Sequence, residues 1–322
     1  MRIGLHIGRF DWPESSTPLS EKLTEMAQAA DEAGFYSLTV MDHLFQLGTR
    51  FGEIHGPVDA PMLEGYSTIA YLAAKTRRIK LGLLVTCNYF RHPGLLVKTV
   101  STIDVLTGGR VYFGIGAGGG ERETKGLGIP FPPLRERMER LEETLQIAKH
   151  IWAGETSPFE GQYYQLTEPI NVPQPLSKPH PPILIGGSGE KKTLRLVAQY
   201  ADVCNFVVGS PLSDEIFGTM ARQEGSYGEW LSEVGKFTQH KFEILRQHCD
   251  AVGRPFDEID KSIVTYIELS PKMMSTTEVL QLCRDFADMG FGYVIFVILN
   301  GYEIEPLVKF GREIIPVVNE FS

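Results

Sequence analysis

Cysteine is scarce in this sequence, and its few cysteines lie far apart. The four of them, Cys87, Cys204, Cys249 and Cys283, form no Cys-x-x-Cys pair. This spacing argues against a disulfide framework and against a structural zinc site, and it predicts buried, reduced thiols. The histidines form no spaced ligand set either, so no metal site is predicted.

Long apolar runs and an excess of basic charge are also missing. No segment approaches the roughly 18 consecutive apolar residues that span a bilayer, and residues 1–10 lack the apolar core of a signal peptide. Asp and Glu (40) outnumber Lys and Arg (31), and the basic residues are scattered along the chain. We therefore predict a cytoplasmic protein whose partners include neither a membrane nor a nucleic acid.

An alternation of short apolar strands with amphipathic helices runs through the 322 residues. Such alternation is typical of parallel βαβ units, and eight units close a barrel. The predicted strands are 2–8, 36–41, 79–86, 110–116, 182–187, 202–208, 263–269 and 293–299. The predicted helices are 19–34, 66–75, 93–106, 135–152, 191–200, 237–252, 277–289 and 303–319.

No Pro/Gly/Ser-rich linker divides these units. The predicted fold class is therefore α/β, a (β/α)8 TIM barrel that forms one domain over residues 1–322. Two insertions interrupt the alternation, near 154–182, with a small hairpin at 162–166, and near 209–236.

The loops after the strands are where such a barrel places its active site. Strand two ends in Asp42 and His43, which bring a carboxylate and an imidazole to the barrel mouth. An imidazole titrates near neutral pH, so His43 suits proton transfer. The pair is equally compatible with a plain role, in which Asp42 caps the next segment and His43 is merely exposed.

Glycine-rich loops follow strands four and five. The first, Gly114–Glu121, allows a planar ligand or a phosphate to approach the backbone, or serves only to avoid steric clashes. Its Gly-x-Gly-x-x-Gly spacing is weak evidence for a dinucleotide site, because the next predicted helix starts about fifteen residues later. The second, Ile185–Lys192, offers backbone N–H groups, the Ser188 hydroxyl and lysines at a helix start. It is the better phosphate site, unless it is an ordinary capped turn.

Strand three continues towards Arg91 and His92, which either reach a ligand or pair at the barrel rim. His92 precedes a proline, so its backbone is held extended, and we predict a structural role for it.

Several short motifs extend along nearly the whole chain. They are Ala29-Ala30-Asp31-Glu32-Ala33-Gly34-Phe35, Met41-Asp42-His43, Met62-Leu63-Glu64-Gly65-Tyr66, Arg91-His92-Pro93-Gly94, Leu106-Thr107-Gly108-Gly109-Arg110, Gly126-Leu127-Gly128 and Pro181-Pro182-Ile183-Leu184-Ile185-Gly186-Gly187. Through them the chain resembles the luciferase-like monooxygenase family, and most closely its branch of coenzyme F-420 (deazaflavin) dependent oxidoreductases.

The resemblance implies a barrel, commonly homodimeric, that holds a flavin-type ring across its strand ends. The ring would belong to coenzyme F-420 or, alternatively, to FMN. His43 would be the catalytic acid or base beside the ring, and a non-prolyl cis peptide within Leu83–Val85 would lie behind it. The expected cofactor-binding residues are Asp42, Leu84, Val85, Thr86, Gly118, Gly119, Gly186, Gly187, Ser188 and Gly189.

Gly119 departs from the family pattern. Sugar-phosphate dehydrogenases of this family have an acidic residue at that place, and close relatives have a bulky aromatic one. Loss of the acid argues against a sugar-phosphate substrate, and loss of the bulk implies a roomier pocket or a mobile loop. The substrate stays open.

Three functions are compatible with these residues. The leading hypothesis is an oxidoreductase that transfers a hydride between F-420 and a small organic substrate, with His43 handling the proton. The second is an FMN-dependent monooxygenase that uses oxygen and reduced FMN from a separate flavin reductase. The third is a barrel that binds a flavin without catalysis.

Overall fold

The computed structural model describes residues 1–12, 17–48, 56–213, 221–222 and 227–321. Part of the predicted insertion at 209–236 therefore lies outside the described residues. The strands, in chain order, are β1 Arg2–Ile7, β2 Ser37–Val40, β3 Lys80–Leu83, β4 Thr86–Cys87, β5 Phe113–Gly116, β6 Phe159–Glu160, β7 Gln165–Leu166, β8 Ile183–Gly186, β9 Val203–Val207, β10 Ser210–Ser213, β11 Ala221–Arg222, β12 Asp260–Ile267 and β13 Tyr293–Ile298.

One parallel sheet forms the barrel, in the order β3-β2-β1-β13-β12-β9-β8-β5-β4. The third predicted strand is divided into β3 and β4, so that nine segments occupy eight strand positions. A parallel bridge between Leu81 and Val111 joins β3 to the chain entering β5, and β4 pairs with β5 directly. These contacts bring the two edges of the sheet together, which confirms the predicted (β/α)8 barrel.

The helices that cover the barrel are α1 Leu19–Ala33, α2 Gly65–Lys75, α3 Pro93–Thr107, α4 Glu121–Gly126, α5 Leu134–Trp152, α6 Thr193–Tyr200, α7 Tyr227–Val252, α8 Thr276–Asp288, α9 Glu305–Lys309 and α10 Ile315–Val318. None of the helices in the described ranges is both long and apolar enough to cross a membrane.

One helical prediction was wrong in its start, and one short helix was not predicted. The helix expected at 237–252 starts ten residues earlier, at Tyr227, because Trp230 and Val234 continue its buried stripe into the predicted insertion. The helix expected after the strand-four glycines is preceded by α4, which begins directly after Gly120. Six residues are too few to produce a readable apolar period.

The C-terminal helix is also less regular than the predicted continuous span of 303–319. A 3-10 turn at Gly301–Glu303 precedes α9, and a π-helical turn, Phe310–Ile314, separates α9 from α10. Pro316 lies in this region and has no N–H to donate, so a regular α-helical hydrogen-bond ladder cannot run through it.

Several local predictions are confirmed. The predicted hairpin exists as the antiparallel pair β6 and β7. All four cysteines are free and buried, and burial raises the pKa of Cys87, Cys204 and Cys283 to about 12. Such thiols stay protonated and unreactive.

Candidate active site

A cavity of about 450 Å³ lies at the carboxyl ends of the barrel strands. We call it the central cavity. It is lined by Asp42, His43, Leu84, Val85, Cys87, Gly116, Ala117, Gly118, Gly119, Leu134, Met138, Gly186, Gly187, Ser188, Gly189 and Thr193. The fold thus brings together predicted site residues from the ends of four strand positions. The volume of the central cavity is in the range of known small-molecule sites.

Thr86 is the predicted site residue that does not line this cavity. It is fully buried, and its hydroxyl lies 2.8 Å from the hydroxyl of Tyr66, on α2. Burial raises the pKa of Tyr66, so the two hydroxyls form a neutral hydrogen bond between the third strand position and α2.

His43 is paired with a carboxylate from a distant loop. Its Nδ1 lies 2.7 Å from Oε1 of Glu123, the third residue of α4. The other oxygen of Glu123 accepts the backbone N–H groups of Leu44 and Phe45, and Glu123 is only 3% exposed. A carboxylate can only accept here, so Nδ1 carries the proton, and Nε2 is the nitrogen left to exchange a proton with a bound molecule.

Asp42 is oriented by an arginine rather than by solvent. Its buried carboxylate accepts two hydrogen bonds from Arg91, at 2.7 and 2.9 Å, and one from the backbone N–H of Cys87 at 2.9 Å. Glu64 contacts the same guanidinium. Burial alone would lower the pKa of Arg91, but its hydrogen bonds and charge attraction to Asp42 and Glu64 outweigh this and raise it. Arg91 therefore pairs at the barrel rim, which was one of its two expected roles.

His92 has the structural role that was predicted. It is the N-cap of α3, where its Nδ1 accepts the backbone N–H of Gly94 at 3.2 Å. Pro93 follows as the first helical residue, where a missing N–H costs nothing.

Val85 forms one wall of the central cavity. The peptide bond between Leu84 and Val85 is cis, within the segment where the resemblance placed it. A Cβ added to Gly116 would lie 2.9 Å from Cγ2 of Val85, and one added to Gly186 would lie 3.0 Å from Cγ1. The ends of strands β5 and β8 therefore need glycine because Val85 packs against their backbone.

Gly119 lies in a loop that is held from outside the cavity. The Arg137 side chain, on α5, donates to the carbonyl of Gly118, and the Tyr89 hydroxyl donates to the carbonyl of Gly119. A Cβ added to Gly119 would meet nothing within 4 Å. The backbone of this loop is thus fixed, while the space in front of Gly119 is open.

A second cavity, the outer cavity, has a volume of about 780 Å³ and shares His43 and Gly119 with the central one. Its described lining residues are His43, Phe45, Gln46, Leu47, Val58, Gly119, Gly120, Glu121, Arg122, Glu123 and Lys125. His43 therefore stands where the two cavities meet.

A third cavity, of about 870 Å³, shares lining residues such as Ser188, Gly189 and Thr193 with the central cavity. We call it the basic cavity. Its wall contains the cations Arg135, Lys191, Lys192 and Lys241, but only the carboxylates of Glu139 and Glu190. The loop between β8 and α6 thus faces a surplus of positive charge, which suits an anion.

Glu123 is the functional candidate that sequence reasoning missed. It stands 80 positions after His43 in the chain. The sequence signal was limited to an acidic residue soon after the strand-four glycines, with Glu121 as an equal candidate.

In the described parts of the chain, no group of three or more His, Cys, Asp or Glu side chains could hold a metal ion.

Comparisons with known proteins agree with this architecture. An F-420-dependent glucose-6-phosphate dehydrogenase from Nakamurella multipartita is 29% identical over 254 residues, which are 78% of this chain and 65% of that protein. An F-420-dependent hydroxymycolic acid dehydrogenase from Mycobacterium tuberculosis is 30% identical over 57% of this chain and 48% of its own length. The chain thus matches less than two thirds of the length of these relatives.

Solved structures share the fold at low sequence identity. An F-420-dependent secondary alcohol dehydrogenase in complex with an F-420-acetone adduct superposes with a TM-score of 0.74 at 17% identity, over 98% of both chains. The monooxygenase RslO1 from Streptomyces bottropensis gives the same TM-score of 0.74 at 16% identity, over 98% of this chain and 99% of that one. The family model described as luciferase-like monooxygenase matches residues 1–215. The chain belongs to the luciferase-like monooxygenase family.

Proposed function

We propose that this protein is an oxidoreductase that uses coenzyme F-420 to interconvert an alcohol and a carbonyl compound. The observation that carries the proposal is the position of the His43–Glu123 pair, where the central and outer cavities meet. The relatives named as F-420-dependent dehydrogenases support the choice of cofactor.

The walls of the central cavity suit a flat ring. Backbone from two glycine-rich loops, 116–119 and 186–189, lines the cavity together with the Leu84–Val85 segment, and Met138 adds an apolar surface from α5. Glycine lets backbone approach a planar ligand closely. Of the predicted cofactor residues, Leu84, Val85, Gly118, Gly119, Gly186 and Gly187 would hold the ring. Asp42 would act through Arg91 and Cys87 as a positioning residue.

The basic cavity supports F-420 over FMN. FMN ends at its phosphate, whereas F-420 continues beyond its phosphate into a chain of glutamates. Ser188 and Gly189 would face the phosphate at the start of α6. Beyond them the described wall holds four cations against two carboxylates, and Lys191 is the cation that pairs with neither Glu139 nor Glu190.

When bound, the deazaflavin would supply the redox chemistry by taking the hydride of the substrate C–H bond with both its electrons. The alcohol then also loses its hydroxyl proton, and a carbonyl forms. Nε2 of His43 accepts that proton. Glu123 holds the imidazole through Nδ1 and stabilises the positive charge that results. In the reverse direction the same nitrogen returns the proton.

This pairing favours an enzyme over a barrel that only binds flavin. A purely structural histidine has no need of a buried carboxylate that is itself held by two backbone N–H groups. The F-420 reaction needs no separate flavin reductase, whereas the FMN alternative does.

We also propose that the protein is a homodimer.

The cofactor assignment is tested by titrating the protein with three ligands and following their absorbance. These are F-420, the deazaflavin riboside that lacks phosphate and tail, and FMN. We expect F-420 to bind about 100-fold more tightly than the other two, with an affinity that falls as salt is added. Tighter binding of FMN would overturn the assignment and favour the monooxygenase.

The role of His43 is tested by His43→Ala in the F-420-loaded protein. We expect kcat to fall by about 10²- to 10⁴-fold, while the dissociation constant of F-420 changes little. His150→Ala is the matched control, since His150 contacts the carbonyl of Ser157 outside the three cavities. Unchanged turnover in His43→Ala would contradict the assignment.

A further inference from the structure

The charges that line the outer cavity balance one another. Arg122 and Lys125 are its described cations, and Glu121 and Glu123 are its described carboxylates. Lys125 is already paired with Glu121 at 2.7 Å. In contrast to the basic cavity, the described wall thus holds no surplus of positive charge with which to bind a phosphate or carboxylate on the substrate.

The rest of that wall is mainly apolar. Phe45, Leu47 and Val58 contribute hydrophobic side chains. Gly119 adds none, and the space in front of its Cα is open. A neutral molecule with apolar surface can therefore extend from His43 into a space of about 780 Å³ without leaving a charge unpaired.

Gln46 supplies one unsatisfied acceptor in this wall. It is 2% exposed, and its Nε2 donates to the carbonyl of Pro61 at 2.8 Å. That bond settles the orientation of the amide, because a carbonyl accepts only from the NH₂ end. Oε1 of Gln46 is then left buried, without a hydrogen-bond partner among the described residues. A buried acceptor of this kind calls for a donor.

We infer that the substrate is an uncharged, largely apolar alcohol that carries a second hydrogen-bond donor, and that Gln46 receives this donor through Oε1. Gln46 lines the outer cavity, so a donor on a molecule bound there would reach its buried oxygen once the amide turns towards it. The inference rests on the proposed function, because His43 and the ring define which hydroxyl reacts. Gln46 is thus a specificity residue and takes no part in the redox step.

The test measures binding instead of turnover. The protein is loaded with reduced F-420, which cannot accept another hydride, and is titrated calorimetrically with cyclohexanol, with cyclohexane-1,2-, 1,3- and 1,4-diol, and with glucose 6-phosphate. The three diols place a second hydroxyl, the extra hydrogen-bond donor, at three different positions of the same apolar ring. We expect at least one diol to bind about tenfold more tightly than cyclohexanol, and glucose 6-phosphate to bind more weakly than either.

Two variants locate the donor site. In Gln46→Leu, which has a similar volume and no acceptor, the preference for the diol should disappear while cyclohexanol binds as before. If that variant does not fold, Gln46→Met, an unbranched side chain of similar length without an amide oxygen, should lose the preference in the same way. A diol preference that survives in Gln46→Leu or in a folded Gln46→Met would overturn the role of Gln46.

Other results overturn the substrate class itself. They are tighter binding of glucose 6-phosphate than of every alcohol, the absence of any diol preference, and no binding of the alcohols at all. Titration of the wild-type protein with F-420 comes first and separates the two proposals. Failure of F-420 to bind overturns both, whereas tight F-420 binding with a failed alcohol series overturns only this inference.

Discussion

The buried carboxylate of Glu123 accepts three hydrogen bonds, one from the His43 imidazole and two from the backbone N–H groups of Leu44 and Phe45. It therefore orients His43 and also holds the backbone that follows it. We predict that Glu123→Gln lowers kcat by about 10- to 1,000-fold, because a glutamine can present its NH₂ group to Nδ1 and so select the wrong tautomer. The pH–rate profile should also be displaced to lower pH, because the positive imidazolium loses its carboxylate. Steady-state kinetics over a pH series measures both effects.

A purely structural role for Glu123 would give a different pattern. It would lower thermal stability and F-420 affinity together and leave the shape of the pH profile unchanged. Glu136→Gln is the matched control, because Glu136 is also a helical carboxylate, paired with Arg140 on α5 and outside the three cavities. If Glu123→Gln keeps the wild-type pH profile, Glu123 does not position His43.

At the scale of elements, Asp31 connects helix α1 to the chain that enters strand β3. Its carboxylate accepts the backbone N–H groups of Arg77, Arg78 and Ile79 at 2.8, 3.0 and 2.7 Å. Burial alone would raise the pKa of Asp31, but these hydrogen bonds outweigh it and hold the pKa below its usual value of 3.8. This contact sets where the third strand position begins, and thus where Val85 lies at its far end.

The lowered pKa determines how stability depends on pH. A group that is more acidic in the folded state stabilises the fold above its unfolded pKa, near 3.8 for Asp31, and loses that contribution as the pH falls further. We predict that Asp31→Asn lowers the free energy of unfolding by about 2 kcal/mol at pH 7, and that the difference from wild type shrinks below about pH 4. Urea denaturation at a series of pH values measures it.

The neighbouring exposed carboxylate provides the comparison for this measurement. Glu32 follows Asp31 in α1 but is exposed, so Glu32→Gln should change the free energy of unfolding by less than about 0.5 kcal/mol. Equal effects of the two substitutions, or a difference for Asp31→Asn that is as large at pH 3 as at pH 7, would rule out the proposed anchoring.

Across the whole molecule, the features that sequence could predict are those with a local cause. Strand β13 has six consecutive buried residues, as expected for a strand covered on both faces, and its bounds were predicted within one residue. The cis peptide bond between Leu84 and Val85 lies within the short segment, Leu83–Val85, where the resemblance placed it. Helix α7 was predicted too short because its first turns contain few apolar residues. These residues form one narrow buried stripe, which gives no strong helical periodicity in the sequence.

Contacts between distant segments had no such local signal. Closing the barrel brings strand position two beside the loop after strand four, and only that closure decides that Glu123 and not Glu121 meets His43. The paired state of Arg91 depends on Asp42 and Glu64, which lie at the two ends of the long connection between β2 and α2. A side chain's partner depends on the three-dimensional path of the chain, so composition and spacing alone left both roles open.

The exterior carries one apolar surface that is consistent with a homodimer. Leu95 and Leu106 of helix α3 are 63% and 80% exposed, and Ile170 and Val172 of the insertion at 154–182 are 57% and 75% exposed. The two segments are joined where Lys98 donates to the carbonyl of Val172 at 2.7 Å. Clustered exposed apolar side chains typically mark an interaction surface.

We predict that this surface is the dimer interface, so that the double substitution Leu106→Glu, Val172→Glu converts the protein to a monomer. Two carboxylates placed in a buried apolar contact cannot be desolvated without partners. Light scattering coupled to size-exclusion chromatography should show twice the chain mass for the wild type and the single-chain mass for the variant. Val317→Glu changes an exposed apolar residue on α10, away from this surface, and should remain dimeric. A wild-type protein that is monomeric at micromolar concentration, or a double variant that stays dimeric, would show that the insertion at 154–182 serves another purpose.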